Sequence, residues 1–345
     1  MKKILSAALS LAMLISLCAC GSSSSSGTAS SGAASSGAAS SEAVEPVELV
    51  MTSGATTEHI ISKFGAEIME NVEAATNGAV TIKYYPGDSM GASGERIDML
   101  ANGDIDIDIQ ALSAFDSYNP RQGIMSAFFM FESWDHYRAV TESDTYKEII
   151  AGLEDALDIT DLGDVYYAKR NILSSVPVNS IEDLQGLKFR VPNEAMPIAG
   201  VGALGAAPTP MSGNEVYSSL QNNTIQATEN GAEQIVTSAF YEVAPYMAVT
   251  AHQYQTMHLL MSNSTRDKLT DEQFEIICNV IDEAVEKYDV LAQESEAEKE
   301  QFLRDNITVN DTIDLEPFYD ALEAMYEEYD DVWGDGTWEA FKALA

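Results

Sequence analysis

Along the chain the apolar residues recur at one of two periods, and the period changes where Gly, Pro or Asn-Gly interrupts it. Val47 to Met51 reads as a first strand, followed by a helix from about Glu58 to Thr76. Asn77-Gly78 turns the chain into Val80-Thr81-Ile82-Lys83-Tyr84-Tyr85, which Pro86-Gly87 stops. Glu95 to Ala101 forms a short helix closed by Asn102-Gly103. Asp104 to Gln110 then alternates strictly, the pattern of a half-buried strand with one acidic face. Asp164 to Lys169 and Leu187 to Val191 are further strands, and Asn193 or Glu194 opens a helix to Leu204. Ser212-Gly213-Asn214-Glu215 is a capping box that starts a helix from Glu215 to Gln221. Thr270-Asp271-Glu272-Gln273 is a second one, starting a helix that runs to about Arg304. Phe274, Ile277, Ile281, Ala284, Val285, Tyr288 and Leu291 form its apolar stripe, which fades beyond Leu291. More than 30 helical residues span about 45 Å, so this helix crosses from one domain to another.

Alternating strands and helices over this length predict an α/β protein of two domains rather than one core. The first 45 residues follow a different rule. Met1-Lys2-Lys3 is a basic start, Ile4 to Leu17 is apolar or small, and Leu17-Cys18-Ala19-Cys20-Gly21 closes the run. That is a signal peptide, too short and wrongly flanked for a stable membrane span. Leu-x-Ala-Cys resembles the bacterial lipobox, which implies lipidation at Cys20; a diacylated cysteine supplies the two chains that stable anchoring needs. Gly21 to about Ser41 is Ser, Gly and Ala with one Thr, a flexible tether with a mean reach of roughly 25–30 Å. The expected organisation is 1–19 signal peptide, 20–44 lipidated Cys and tether, 45–167 plus about 256–295 domain I, and 168–255 plus about 296–345 domain II.

Charge narrows the partners. Without Lys2 and Lys3 the chain keeps 16 basic residues against 55 acidic ones, a net charge of about −39. Such a balance disfavours nucleic acid and anionic lipid headgroups. Most of these acids belong on a solvated surface. Cys278 has no partner once Cys20 is lipidated, and Phe274-x-x-Ile277-Cys278-x-x-Ile281 makes it a small buried hydrophobe. Alternating acids on a strand do not wrap round one ion, and the EF-hand glycine and terminal Glu are missing, so no metal or other cofactor is expected. Catalysis lacks a constellation: there is no Gly-x-Ser-x-Gly and no His-Glu-x-x-His among the four histidines at 59, 136, 252 and 258.

In so acidic a chain, Arg190 stands out within Leu187-Lys188-Phe189-Arg190-Val191-Pro192-Asn193. The run Val178-Asn179-Ser180-Ile181-Glu182-Asp183-Leu184-Gln185-Gly186 leads into it, and Leu204-Gly205-Ala206-Ala207-Pro208-Thr209-Pro210-Met211 follows. Glu215-Val216-Tyr217-x-x-Leu220-Gln221 and Glu229-Asn230 continue the series, and Tyr85-Pro86 and Gly103-Asp104-Ile105-Asp106 precede it. Together these motifs resemble the solute-binding subunits of tripartite ATP-independent periplasmic (TRAP) transporters, over essentially everything after Glu45.

That resemblance implies a periplasmic-binding-protein-like α/β fold with a ligand cleft between two domains and a long helix spanning both. It implies capture of one small organic acid, hinge closure, and delivery to a membrane permease by a monomer that touches the membrane only through its lipid. Arg190 matches the arginine that takes the substrate carboxylate, a role suited to the planar guanidinium fork. Arg170, Asn230, Asn193 and His252 match further contacts, and Gln110 faces the expected pocket. Ala111 replaces the acid that sialic-acid binders carry, and Gly213 replaces their aromatic ring. A smaller or differently shaped acid is therefore as compatible as a sialic acid. The alternatives are a receptor feeding a sensor kinase and, further off, an exported enzyme.

Overall fold

The computed structural model describes residues 46–345; the expected signal peptide, Cys20 and the whole tether lie outside the described residues. Nine strands form one mixed sheet: β1 (Val47–Ser53), β2 (Val80–Tyr85), β3 (Ile107–Gln110), β4 (Ile159–Ser174), β5 (Lys188–Val191), β6 (Ala207–Pro210), β7 (Ala227–Asn230), β8 (Tyr246–Ser262) and β9 (Thr308–Asn310). Their order is β2-β1-β3-β8-β4-β7-β5-β6, with β9 paired to β8. Two strands hold the halves together. β4 and β8 are 16 and 17 residues long and run antiparallel to each other. The C-terminal half of β8 pairs with β3, while the second half of β4 pairs with β7. Each long strand therefore belongs to two local sheets.

The ladder between β4 and β8 slips at Tyr166/Ala168 and again at Arg170/Ile172. Such bulges bend and twist a strand where it passes from one packing environment to the next. Beside the first slip, a Cβ on Gly231 would lie 2.4 Å from the Ala168 Cβ and 3.3 Å from Glu296 Oε1. Only glycine permits β7 to end that close to the crossover.

The expected long helix is present as Asp271–Asn306, and its capping box is complete: Gln273 N donates to Thr270 Oγ1 at 3.1 Å and Thr270 N to Gln273 Oε1 at 2.9 Å. Its first half packs Ile277, Ile281 and Tyr288 into the core built on β1–β3, and Leu303 joins a different core with Leu173 and Ile235. It crosses between the halves, as its length requires. The C-terminal region also reaches both halves. In the helix Glu316–Trp333, Phe318 and Leu322 pack against Phe189 and Val191, whereas Trp333 joins the core of Phe115 and Tyr137.

One strand differs from its sequence pattern. The Asp104–Gln110 alternation suggested an acidic solvated face, yet β3 is buried on both sides. Asp106 accepts from Val50 N at 2.7 Å, and Asp108 accepts from Thr52 Oγ1 at 2.7 Å and Arg96 Nε at 3.1 Å. Buried carboxylates persist only with such partners. Among the described residues no helix is long and apolar enough to cross a membrane.

Candidate ligand-binding site

A cavity of about 150 Å³ opens where the two halves of the sheet meet at β4. Asp88, Ser93, Arg96 and Gln110 line it from the first half; Arg170, Arg190, Glu194, Gly213, Glu229 and Asn230 line it from the second. β5 carries Arg190 just after Phe189, which pairs with Ala227 at the start of β7, and β4 carries Arg170 just before Asn171, which pairs with Asn230 at its end.

The three arginines are all buried but differently engaged. Arg96 donates Nε to Asp108 and Nη1 to Asp88 and to the Gly91 carbonyl. Arg170 grips Glu229 with two prongs, Nε to Oε2 and Nη2 to Oε1, and donates Nη1 to Gln255 Oε1 at 2.8 Å. Arg190 is 6 % exposed, and its Nε and Nη2 both donate to the Met211 carbonyl, at 3.1 and 2.9 Å. No carboxylate lies within 4 Å of it among the described residues. Burial pulls Arg190 below the ordinary arginine range, a shift opposed by the charges of Glu229 and Glu194. It is the underpaired cation of the cavity.

The carboxylates divide in the same way. Burial would raise Glu229, but the Arg170 fork overcomes it and holds the carboxyl down to about 2. Burial wins at Glu194, Asp88 and Asp108, which all lie above the usual carboxylate range. Behind Glu194, Asp116 is 9 % exposed, and burial plus the Glu194 charge push it up to about 7.

Asn230 ends β7 inside the cavity; its Oδ1 accepts the Gly231 N–H at 3.0 Å, leaving the amide nitrogen directed to no protein acceptor. Gln110 also lines the wall, anchored by Nε2 to Ser93 Oγ at 3.0 Å. Two of the expected residues are not in the lining. Asn193 is exposed, because the chain bends at it: Glu194 N donates back to the Pro192 carbonyl at 2.9 Å, and Pro192 and Glu194 line the cavity while Asn193 does not. His252 does not line the cavity either. It stands behind Glu229, with Nε2 3.5 Å from Oε2, too poorly aligned for a hydrogen bond, and Nδ1 on Thr250 Oγ1 at 2.7 Å. Its contact with the site runs through Glu229. Arg170 is in the cavity, but the side of its fork suited to a carboxylate is filled by Glu229.

Sequence reasoning gave no role to Glu229, Glu194 or the Arg96–Asp88–Asp108 cluster. Glu229 was legible as the residue before Asn230; both line the cavity, and Arg170 holds Glu229 there. The Arg96 cluster joins a helix, a loop and a strand, and no local pattern links them.

A solved structure of a TRAP periplasmic solute binding protein from Sulfitobacter sp. NAS-14.1, with β-D-galacturonate bound, matches with a TM-score of 0.80 and 26 % identity, covering 86 % of this chain and 98 % of that one. The sialic acid-binding periplasmic protein SiaP of Vibrio cholerae is 31 % identical over 76 % of this chain and 82 % of its own length. The family profile described as bacterial extracellular solute-binding protein, family 7, matches residues 51–331. The chain belongs to that family. Its fold is the two-domain α/β fold of the TRAP solute-binding proteins, with the ligand cleft between the domains and the long helix spanning both. A sugar acid binding protein from Advenella mimigardefordensis, in complex with galactonate, shares that fold with a TM-score of 0.83 at 22 % identity, covering 87 % and 98 % of the two chains. Members of the family are extracytoplasmic binding components of transport.

Proposed function

We propose that this solute-binding protein captures a small polyhydroxylated monocarboxylate and hands it to a TRAP permease, without chemistry of its own. The observation that carries the reading is Arg190: a buried guanidinium with no carboxylate partner in a cavity whose other two arginines are paired. A buried cation is stable only when compensated, and a ligand carboxylate supplies the compensation. Asn230, Gln110 and the outer Nη1 edge of Arg170 face the rest of the ligand and suit hydroxyl groups. Gln234, Gln253 and Gln255 add amides to the same wall. A volume of about 150 Å³ favours a sugar acid of uronate or aldonate size over a sialic acid. Ala111 and Gly213, where sialic-acid binders place an acid and an aromatic ring, favour it too.

The bodies that close on the ligand divide near residues 167/168 and 255/256, where β4 and β8 slip register. The protein is a monomer held at the outer face of the cytoplasmic membrane by lipid on Cys20. A panel of galacturonate, glucuronate, galactonate, N-acetylneuraminate and neutral galactose tests the reading by thermal shift. At 100 times its dissociation constant the right acid adds about 2.7 kcal/mol of stability. A shift with galactose and none with any acid overturns the carboxylate site.

A further inference from the structure

A groove of about 1040 Å³ runs along the C-terminal helix Glu316–Trp333 and shares no lining residue with the ligand cavity. Its apolar surface is aromatic: Tyr326 stacks on Trp338 at 4.4 Å, and Tyr319, 46 % exposed, meets Phe129 edge-on at 4.6 Å. Its rim is acidic. Of the six carboxylates there, Glu132 is neutralised by Lys342 Nζ at 3.0 Å. Asp320, Glu323, Glu327, Asp330 and Glu339 meet no cation within 4 Å among the described residues. One oxygen of Asp330 is buried without a hydrogen-bond partner. Two residues of the groove, Phe129 and Ala251, hold positive φ angles of 59° and 45°, a conformation that non-glycine residues adopt only where surrounding structure imposes it. An open aromatic surface edged by uncompensated acids is complementary to side chains with a cationic head and an apolar stem.

We propose that this groove docks a basic polypeptide segment of a partner protein, its Lys or Arg heads on Asp320, Glu323, Glu327 and Asp330 and its apolar side chains over Tyr319, Tyr326 and Trp338. The spacing separates a segment from a small amine. The four acids recur along one side of the helix over ten residues, about 15 Å, so several cations in one chain are needed to meet them. The mode is an amphipathic segment laid in a groove, with charge setting orientation and on-rate.

Fluorescence anisotropy with the mature, unlipidated protein tests this. The probe is a fluorescein-labelled amphipathic helical peptide with Lys on one face and Leu on the other; a second peptide carries Glu in place of Lys. The E323K/E327K variant changes two exposed residues of the groove, and E70K/E73K makes the same charge change at two exposed residues of the first helix; circular dichroism confirms that both fold. The Lys peptide is expected to bind the wild type with a dissociation constant on the order of micromolar. E323K/E327K should weaken it at least about tenfold, and E70K/E73K less than about twofold. Equal loss in the two variants overturns the proposal in favour of general attraction to an acidic surface. So does binding of the Glu peptide, or displacement of the Lys peptide by spermine at equal concentration, which marks a small-amine site.

Discussion

The ligand cavity and the groove on the C-terminal helix are both lined by carboxylates, yet they present opposite faces to a charged visitor. In the cavity Asp88 and Glu229, with Asp108 behind them, are spent on Arg96 and Arg170, and Arg190 is the group left short of a partner. In the groove the one lysine among six acids pairs with Glu132 alone. A net charge of −37 says nothing about which site takes an anion. The pairing within each site decides it, because burial makes an uncompensated charge costly in the cavity while solvent tolerates it at the rim.

The largest way to break the contrast is at Glu229. Gln in its place keeps the shape and removes the charge that Arg170 grips with two prongs. Loss of one partner of a buried pair costs about 3–5 kcal/mol, so Glu229→Gln should lower the urea midpoint strongly. Glu229 is held below its unfolded value, so its contribution is fully present above about 4.5 and is lost as pH falls towards about 2. The wild type should weaken across that window, and the variant should show a flatter acid limb. Equal stability at pH 7 would mean that Arg170 finds enough compensation in Gln255 and the Glu229 carbonyl alone.

Arg190 comes next, through affinity rather than stability. Arg190→Lys leaves a point charge where a fork faced the ligand, and binding of the acid identified by thermal shift should weaken by about 2–5 kcal/mol in calorimetry. The Met211 carbonyl can still accept from an ammonium, so the fold should hold. An unchanged affinity would remove Arg190 as the carboxylate clamp and leave the cavity with no free cation to replace it.

Asp116→Asn acts on the same cluster with a smaller effect. Asp116 is raised to about 7, first by burial and then by Glu194. The folded state therefore keeps its proton more tightly than the unfolded chain, and stability is lost as pH rises from the ordinary carboxylate range to about 7. Asn removes that loss. The variant should be more stable than wild type by about 1–3 kcal/mol at pH 8 and no different at pH 4. A pH-independent difference would assign Asp116 a purely structural role.

What the sequence made legible follows from the range of the forces involved. The long helix was readable because its capping box and apolar stripe are local, and Arg190 because a motif surrounds it. β2 was bounded as observed by Asn-Gly and Pro-Gly. β4 and β8 were largely missed: their length serves two sheets at once, and a strand buried by turns against different partners shows no steady period. Asp106, just before β3, and Asp108 within it misled for a related reason, since Arg96, Thr52 and Lys268, which compensate them, lie at least 12 residues away. That Glu194 rather than Asn193 lines the cavity follows from a bend at Asn193, closed by Glu194 N on the Pro192 carbonyl, a turn that no motif fixes.

Salt gives the smallest effect and the sharpest contrast, because the two sites should respond with opposite signs. The groove's acids are at the surface, so raising ionic strength from about 0.01 to about 0.15 M shortens the screening length from about 30 to about 8 Å. The Lys peptide should then bind several-fold more weakly. In the cavity the contact with Arg190 is shielded from solvent by the protein itself and is screened little. What salt does reach is the repulsion between an anionic ligand and a chain of net charge −37, and screening repulsion favours capture. Affinity for the acid should hold or rise by less than about twofold over the same range. A parallel loss at both sites would mean that the ligand is held by the protein's general field rather than by one buried guanidinium.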